Sequence, residues 1–258
     1  MHTPLCYHAE GEPTEYASQA AKLGFTEIGF TEHAPMPEDD FDDWRMLESE
    51  LDLYHEKLDQ AERDNPNVTI RRSLEIDYLP GYEEWIKNLA KRYNWDYLIG
   101  SVHYIKEKWS FDHPDKRDTW EGKDLNQVWR EYYDRLVESV SLGIFDIIGH
   151  CDLIKVFGDR PEVELSQLWR PFLEAVRQAD IAIEINTGGI HKPCGEMYPE
   201  PALLEMAGGM GVGLTFGSDA HKSARVGENF DAAVELAKRS GFTEYRRFAG
   251  GQYESVPF

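Results

Sequence analysis

The sequence predicts a single α/β domain in which a parallel sheet closes into a barrel. Three observations predict it: short aliphatic runs alternate with amphipathic helical stretches, 258 residues suit one barrel-sized unit, and no Gly-rich phosphate-binding loop follows any run. The expected strands are 26–31 (TEIGFT), 69–76 (TIRRSLEI), 95–102 (WDYLIGSV), 145–149 (FDIIG), 181–187 (IAIEINT) and 212–217 (VGLTFG). Each is short, apolar and bounded by Gly or polar residues, the pattern of strands buried on both faces. The expected helices are 13–23, 43–64, 81–93, 125–142, 165–179, 200–209 and 228–240. In the fourth, Leu125, Val128, Trp129, Tyr132, Tyr133, Leu136, Val137 and Val140 recur at helical spacing. Gly143 and Gly241 stand where a glycine ends such helices. An open doubly wound sheet is the rival arrangement, and the missing nucleotide loops count against it. No linker or repeat marks a boundary, so residues 1–258 read as one domain.

Composition removes several function classes. Apolar residues make up 41% of the chain, yet no apolar run is long enough for a membrane span. The start, MHTPLCYHAEGEP, lacks the basic and apolar regions of a signal peptide, so the expected location is the cytoplasm. Cys6, Cys151 and Cys194 form no CxxC pair and read as small buried hydrophobes in a reducing compartment. The net charge of −21 repels a phosphate backbone, and the longest basic feature is a dipeptide, Lys91-Arg92 or Arg246-Arg247, so nucleic acid is not an expected partner. An anionic substrate needs cations placed in the site itself. Oligomeric state is left open.

The chemistry lies in the histidines. His33, His103 and His150 end expected strands, Asp219 and His221 follow a fourth, and Glu75 sits late in a fifth. His2 and His8 lie near the chain start. One such histidine is ordinarily an imidazole satisfied by a neighbour, but five strand ends doing this together mark the rim where α/β barrels assemble active sites. Imidazole with carboxylate suits Zn, Fe or Mn, and the lack of clustered thiolates points to a catalytic site. Up to eight candidate ligands exceed the needs of one tetrahedral ion, so two or three divalent ions are expected, with Glu75 or Asp219 able to bridge. Ions about 3.5–4 Å apart clamp a phosphate and supply a nucleophile from water at neutral pH. Of the other histidines, His55 reads as solvated on a charged helix, His113 as a polar-loop residue, and His191 as a loop residue facing substrate.

The segments HTPLCYHAEG, TEHAP, LEID, GSVHYI, GHCDLIK, EINTGG and GSDAH, in that order, resemble the motifs of the PHP (polymerase and histidinol phosphatase) family. The likeness runs from residue 2 to about residue 230. It implies a distorted (β/α)7 TIM-like barrel holding a trinuclear metal centre. Carried over by position, Glu75, Asp219 and His2 would share one metal, Glu75 would bridge to a second held by His103 and His150, and His8, His33 and His221 would hold the third. GSVHYI with SFDHP, and EINTGGIHKPCGEMYPEPALL, are similar to the histidinol-phosphatase branch, which implies a small phosphate ester as substrate and a place in histidine biosynthesis.

That branch resemblance assigns substrate contacts to Asn186 and Thr187 at a strand end and to Lys192, with Arg160, Lys155 and Arg225 as further cations. Asp112, Glu196 or Asp152 is expected to receive a substrate amine. Asp219 or His221 is the expected acid for the leaving alkoxide, with Glu75 beside them. Two departures stand out. GIHKP replaces the usual GLRKP, so His191 takes the place of an arginine fork. Of an opening strand ending in D-x-H-x-H the sequence supplies only the last histidine, His2, so most of the first strand is expected to be missing and the initiator methionine to be placed too late. Two rival readings follow from these departures: a PHP phosphoesterase of other specificity, and a metal-binding homologue without catalysis.

Overall fold

The computed structural model describes residues 1–106 and 109–258. Six parallel strands, β1 (Glu27–His33), β2 (Thr69–Asp77), β3 (Ile99–Ser101), β4 (Ile147–Ile148), β5 (Ala182–Asn186) and β6 (Gly213–Gly217), lie side by side in sequence order. Helices α1 (Pro13–Lys22), α2 (Leu51–Asp64), α3 (Glu83–Ala90), α4 (Leu125–Ser141), α5 (Ser166–Gln178), α6 (Pro201–Met210) and α7 (Phe230–Arg239) alternate with them. Because every crossover advances by one strand, the helices wrap one face and the other face turns inward, the winding of a barrel wall. All six expected strands and all seven expected helices exist; the rival doubly wound order does not. The register sets His33 opposite Glu75 and Asp77 opposite Ser101, so the polar strand ends meet on one rim.

Helix α4 shows why the periodic segments were legible. Asp124 caps it by accepting from Asn126 N and Gln127 N, and Val128, Trp129, Tyr132, Tyr133, Leu136 and Val140 form its buried stripe. Gly143 and Gly241 follow α4 and α7 at φ of 71° and 91°, as the glycine placement anticipated. The stripe packs on α5, where Leu168, Trp169, Phe172, Leu173 and Val176 are buried in the same core.

Three expectations need correcting. The strand expected over 95–102 narrows to Ile99–Ser101, because side chains take backbone donors a ladder would use: Asp96 accepts from Arg72 N and Asp146 from Leu98 N. The helix expected from residue 43 starts at Leu51, since residues before it are pinned across the barrel mouth by Arg45. His55 is half-buried with its ring against Tyr93 and Trp95, at 4.1 and 5.2 Å between centroids, and not solvated. A further element was not anticipated: β7 (Glu244–Ala249) and β8 (Gln252–Pro257) form an antiparallel hairpin joined by Gly250 and Gly251, both at positive φ.

Phe172 has no exposed surface, so Phe172→Ala is expected to cost about 3–5 kcal/mol in denaturant unfolding, while a substitution at exposed Arg239 stays within about 0.5 kcal/mol.

Candidate metal centre

Glu75, buried at the end of β2, is where the candidate ligands meet. Its carboxylate lies 2.8 Å from His150 Nε2, 3.1 Å from His33 Nδ1, 3.5 Å from His2 Nε2 and 3.7 Å from His103 Nε2, and it accepts from Ser101 Oγ at 2.6 Å. Asp219, held at φ 49° just beyond β6, lies 3.0 Å from His2 Nε2. His8 and His221 complete the group: their ring centroids are 4.6 Å apart, and His2 stacks on His221 at 4.2 Å. Every residue expected to be a ligand is therefore in one cluster. Within it, His8, His33 and His221 bring their donor atoms together, as do Glu75, His103 and His150, and His2, His33 and Glu75.

The imidazoles are oriented by acceptors behind them. His2 Nδ1 faces Glu32 at 3.2 Å, His103 Nδ1 faces Asp77 at 2.9 Å, His8 Nδ1 faces the Cys6 carbonyl at 2.7 Å, and His221 Nδ1 faces the Asp219 carbonyl at 2.9 Å. Oxygens without hydrogens can only accept, so each Nδ1 carries a proton and each Nε2 is the nitrogen turned inward. His221 Nε2 is buried and has no hydrogen-bond partner among the described residues. A buried imidazole lone pair left unmatched beside carboxylates is what a bound cation would satisfy, so the donor set fits a divalent metal.

Charge follows from these contacts. Burial pulls His2 and His103 toward neutrality, but Asp219 with Glu32, and Asp77, overcome it and raise the two to about 9 and about 10. Burial, reinforced by the neighbouring His2 charge, lowers His33 to about 3 and His221 well below its ordinary value. Burial alone would raise Glu75 and Asp219, yet the imidazoles hold both far below the usual carboxylate range.

Several supporting residues were missed in the sequence. Glu32 accepts from Thr3 N and His33 N at 2.7 and 2.9 Å while holding His2. Asp77 is itself held by Arg45 at 2.9 Å, and Arg45 also donates to Asp42 and to the Ala34 carbonyl, tying the loop before α2 over the cluster. Trp44, next in chain, stands edge to face with His33 and His103, 4.8 and 5.5 Å between centroids. Cys6 approaches His2 and His221 as another possible donor. The signal for Glu32 and Asp77 was in the strands: one precedes His33, and the other follows Glu75 by two residues on the same strand face.

The expected substrate contacts are placed less uniformly. Asn186 donates to Glu184 at 2.8 Å and reaches Asp219 at 3.4 Å, so it touches the cluster. Thr187 donates to the Glu228 carbonyl, and His191 pairs with the Glu228 carboxylate at 2.7 Å. Arg225 comes within 4.0 Å of that carboxylate. Arg160 pairs with Glu196 and Glu200, and Lys155, fully buried, with Asp152 and Glu196. Lys192 is exposed and has no ion pair among the described residues. His113 caps a short 3-10 turn through Asp115 N.

A family model for the PHP domain matches residues 1–188. This chain belongs to the PHP family. The probable histidinol-phosphatase of Deinococcus radiodurans is 37% identical to this PHP chain over 245 residues, 94% of this chain and 93% of that protein. The histidinol-phosphatase of Bacillus subtilis is 29% identical, over 91% of this chain and 97% of its own. The histidinol phosphate phosphatase of Lactococcus lactis, solved with Zn, L-histidinol and phosphate, matches at a TM-score of 0.80 over 98% of this chain and 97% of that one; at 22% identity this likeness is one of fold. No helix of the described residues is long and apolar enough to cross a membrane.

Two outcomes are expected. Glu32→Gln and Asp77→Asn each lower affinity for added Zn or Mn by about 10–100-fold in a competition titration, while circular dichroism stays that of the parent. Because His2 and His103 titrate at about 9 and about 10, both are protonated in the metal-free protein at neutral pH, so adding metal in weak buffer releases protons to an indicator dye. Loading without proton release contradicts the arrangement.

Proposed function

We propose that this chain is a histidinol-phosphatase that hydrolyses L-histidinol phosphate to L-histidinol and phosphate in histidine biosynthesis. The observation that carries the reading is the convergence of six imidazoles and two carboxylates on one barrel rim, in a chain that matches histidinol-phosphatases over nearly its whole length. We further infer a trinuclear centre: Glu75, His103 and His150 around one ion, His8, His33 and His221 around another, and His2, Asp219 and Glu75 around a third. On the same reading the sheet is a distorted (β/α)7 barrel whose first strand is reduced to Met1 and His2, and the chain acts in the cytoplasm.

Divalent ions in such a site neutralise phosphoryl oxygens and activate water near neutral pH. The protein's part is positioning. Glu32 and Asp77 fix the rings that would face the phosphoryl group, and Asn186 braces Asp219. Asp219 and His221, each partly exposed though less so than His8, are our candidates for relaying a proton from water to the leaving alkoxide. Trp44 and Tyr104, ring planes 12° apart, form a wall beside His103. Arg160, His191 and Arg225 each already hold a carboxylate, so any contact of theirs with phosphate must exchange that partner; Lys192 has none to give up.

The direct test is phosphate release from L-histidinol phosphate after reconstitution with Zn, Fe or Mn. Release is expected to stop on adding a chelator and to fall about 100-fold or more in His103→Ala, and no phosphorylated residue is expected in a quenched turnover. Release that survives both chelator and substitution, or a trapped phosphoenzyme, overturns the reading.

A further inference from the structure

Four of the candidate ligand rings are held from behind by an oxygen on Nδ1, and His150 is not one of them. Its Nδ1 is buried without a hydrogen-bond partner among the described residues, while its Nε2 faces Glu75. With no acceptor behind it, the ring depends on where its backbone is set. The His150 carbonyl accepts from Tyr132 Oη at 3.2 Å, and His150 N donates to Glu184 Oε1 at 3.1 Å.

Glu184 is buried on β5, the strand between β4 and β6. Residues two apart share a strand face, and Asn186 donates its side-chain amide to the same Oε1 at 2.8 Å. Asn186 in turn accepts from Gly188 N at 2.9 Å and lies 3.4 Å from Asp219 Oδ2. One carboxylate oxygen thus anchors His150 at the end of β4 and, through Asn186, Asp219 beyond β6. His150 meets one oxygen of Glu75, and Asp219 meets His2, which lies by the other. The neighbouring strand leaves room for this arrangement. A methyl group at Gly217, the last residue of β6, would collide with Glu184 Oε2, and its three nearest atoms all belong to the Glu184 carboxylate. Extended backbone suits any residue, so space for that carboxylate is what glycine supplies here.

We propose that Glu184 is a positioning residue of the centre: it sets the distance between His150 and Asp219, and so the spacing of the cluster around its ions. It acts as a hydrogen-bond acceptor, and its charge is not required. The donors it serves are a backbone N–H and a side-chain amide, which an amide oxygen satisfies equally well. Removing the acceptor leaves both donors buried and unpaired, so they must shift to find other partners. The proposal rests on the metal centre inferred above and not on the identity of the substrate.

The test compares Glu184→Gln, Glu184→Ala, Gly217→Ala and the Glu184→Ala/Gly217→Ala double variant with the parent. Each is titrated with zinc in competition with a chelating dye, and its thermal midpoint is recorded alongside. Glu184→Gln keeps an acceptor oxygen and is expected to bind zinc within about threefold of the parent. Glu184→Ala is expected to bind about 10–100-fold more weakly. Gly217→Ala leaves every other side chain in place and presses on the carboxylate, so a loss of about 10-fold is expected. In the double variant the added methyl has no carboxylate to displace, and affinity is expected to match Glu184→Ala within about threefold. Glu184→Gln as weak as Glu184→Ala, Gly217→Ala equal to the parent, or losses that simply add in the double variant overturn the proposal. Glu184→Gln and Gly217→Ala decide it even where Glu184→Ala does not fold. A parent that binds no zinc sinks the metal centre itself, and this role with it; a parent that binds zinc as tightly as every variant does sinks the role alone.

Discussion

Glu75 is buried, and an ionised carboxylate taken out of water costs several kcal/mol unless its charge is matched. Four imidazoles and the Ser101 hydroxyl surround it, drawn from four separate parts of the chain. Matching that one charge therefore fixes where β1, β3, the end of β4 and the residue after Met1 must lie. The fold answers with register: His33 sits opposite Glu75, and the polar strand ends all fall on one rim. Without the parallel ladder the histidines would be scattered side chains. Without the carboxylate they would have no common focus.

Charge matching extends outward in layers. His2 and His103 are each gripped by a second buried carboxylate, and Asp77 is in turn gripped by Arg45. Arg45 also anchors the loop that lays Trp44 beside the cluster, so the outermost layer shapes the mouth while holding the innermost in register. In a chain of net charge −21, most cations near the mouth are likewise already committed to carboxylates. That pairing leaves few side-chain cations free for an anion, so a site for one would need positive charge supplied at the cluster itself.

These layers separate what the sequence shows from what it hides. Strands such as IAIEINT and the stripe of α4 are set by local periodicity, which survives in any window of the chain. The candidate ligands were legible because histidines at strand ends are conspicuous and strand ends share a rim. Glu32 and Asp77 stood out less, since their one mark, a place beside His33 and Glu75 on the strands, is faint among 48 acidic residues. The start of α2 was misplaced for a similar reason: residues 43–47 can form helix, but Arg45's distant contacts with Asp77 and the Ala34 carbonyl hold them out of it, and Glu48–Glu50 make a 3-10 turn ahead of α2. The final hairpin was different, because Gly250-Gly251 between alternating segments was a readable turn signal that went unused.

The chain start shows how closely fold and chemistry are joined here. Met1 and His2 carry the hydrogen bonds that link β1 to the β6 side, and His2 also points its Nε2 at Asp219 and Glu75. The same two residues thus join β1 to the residues beyond β6 through the backbone and bring an imidazole into the cluster, so the segment that holds the sheet edge also sets where that imidazole stands among the carboxylates.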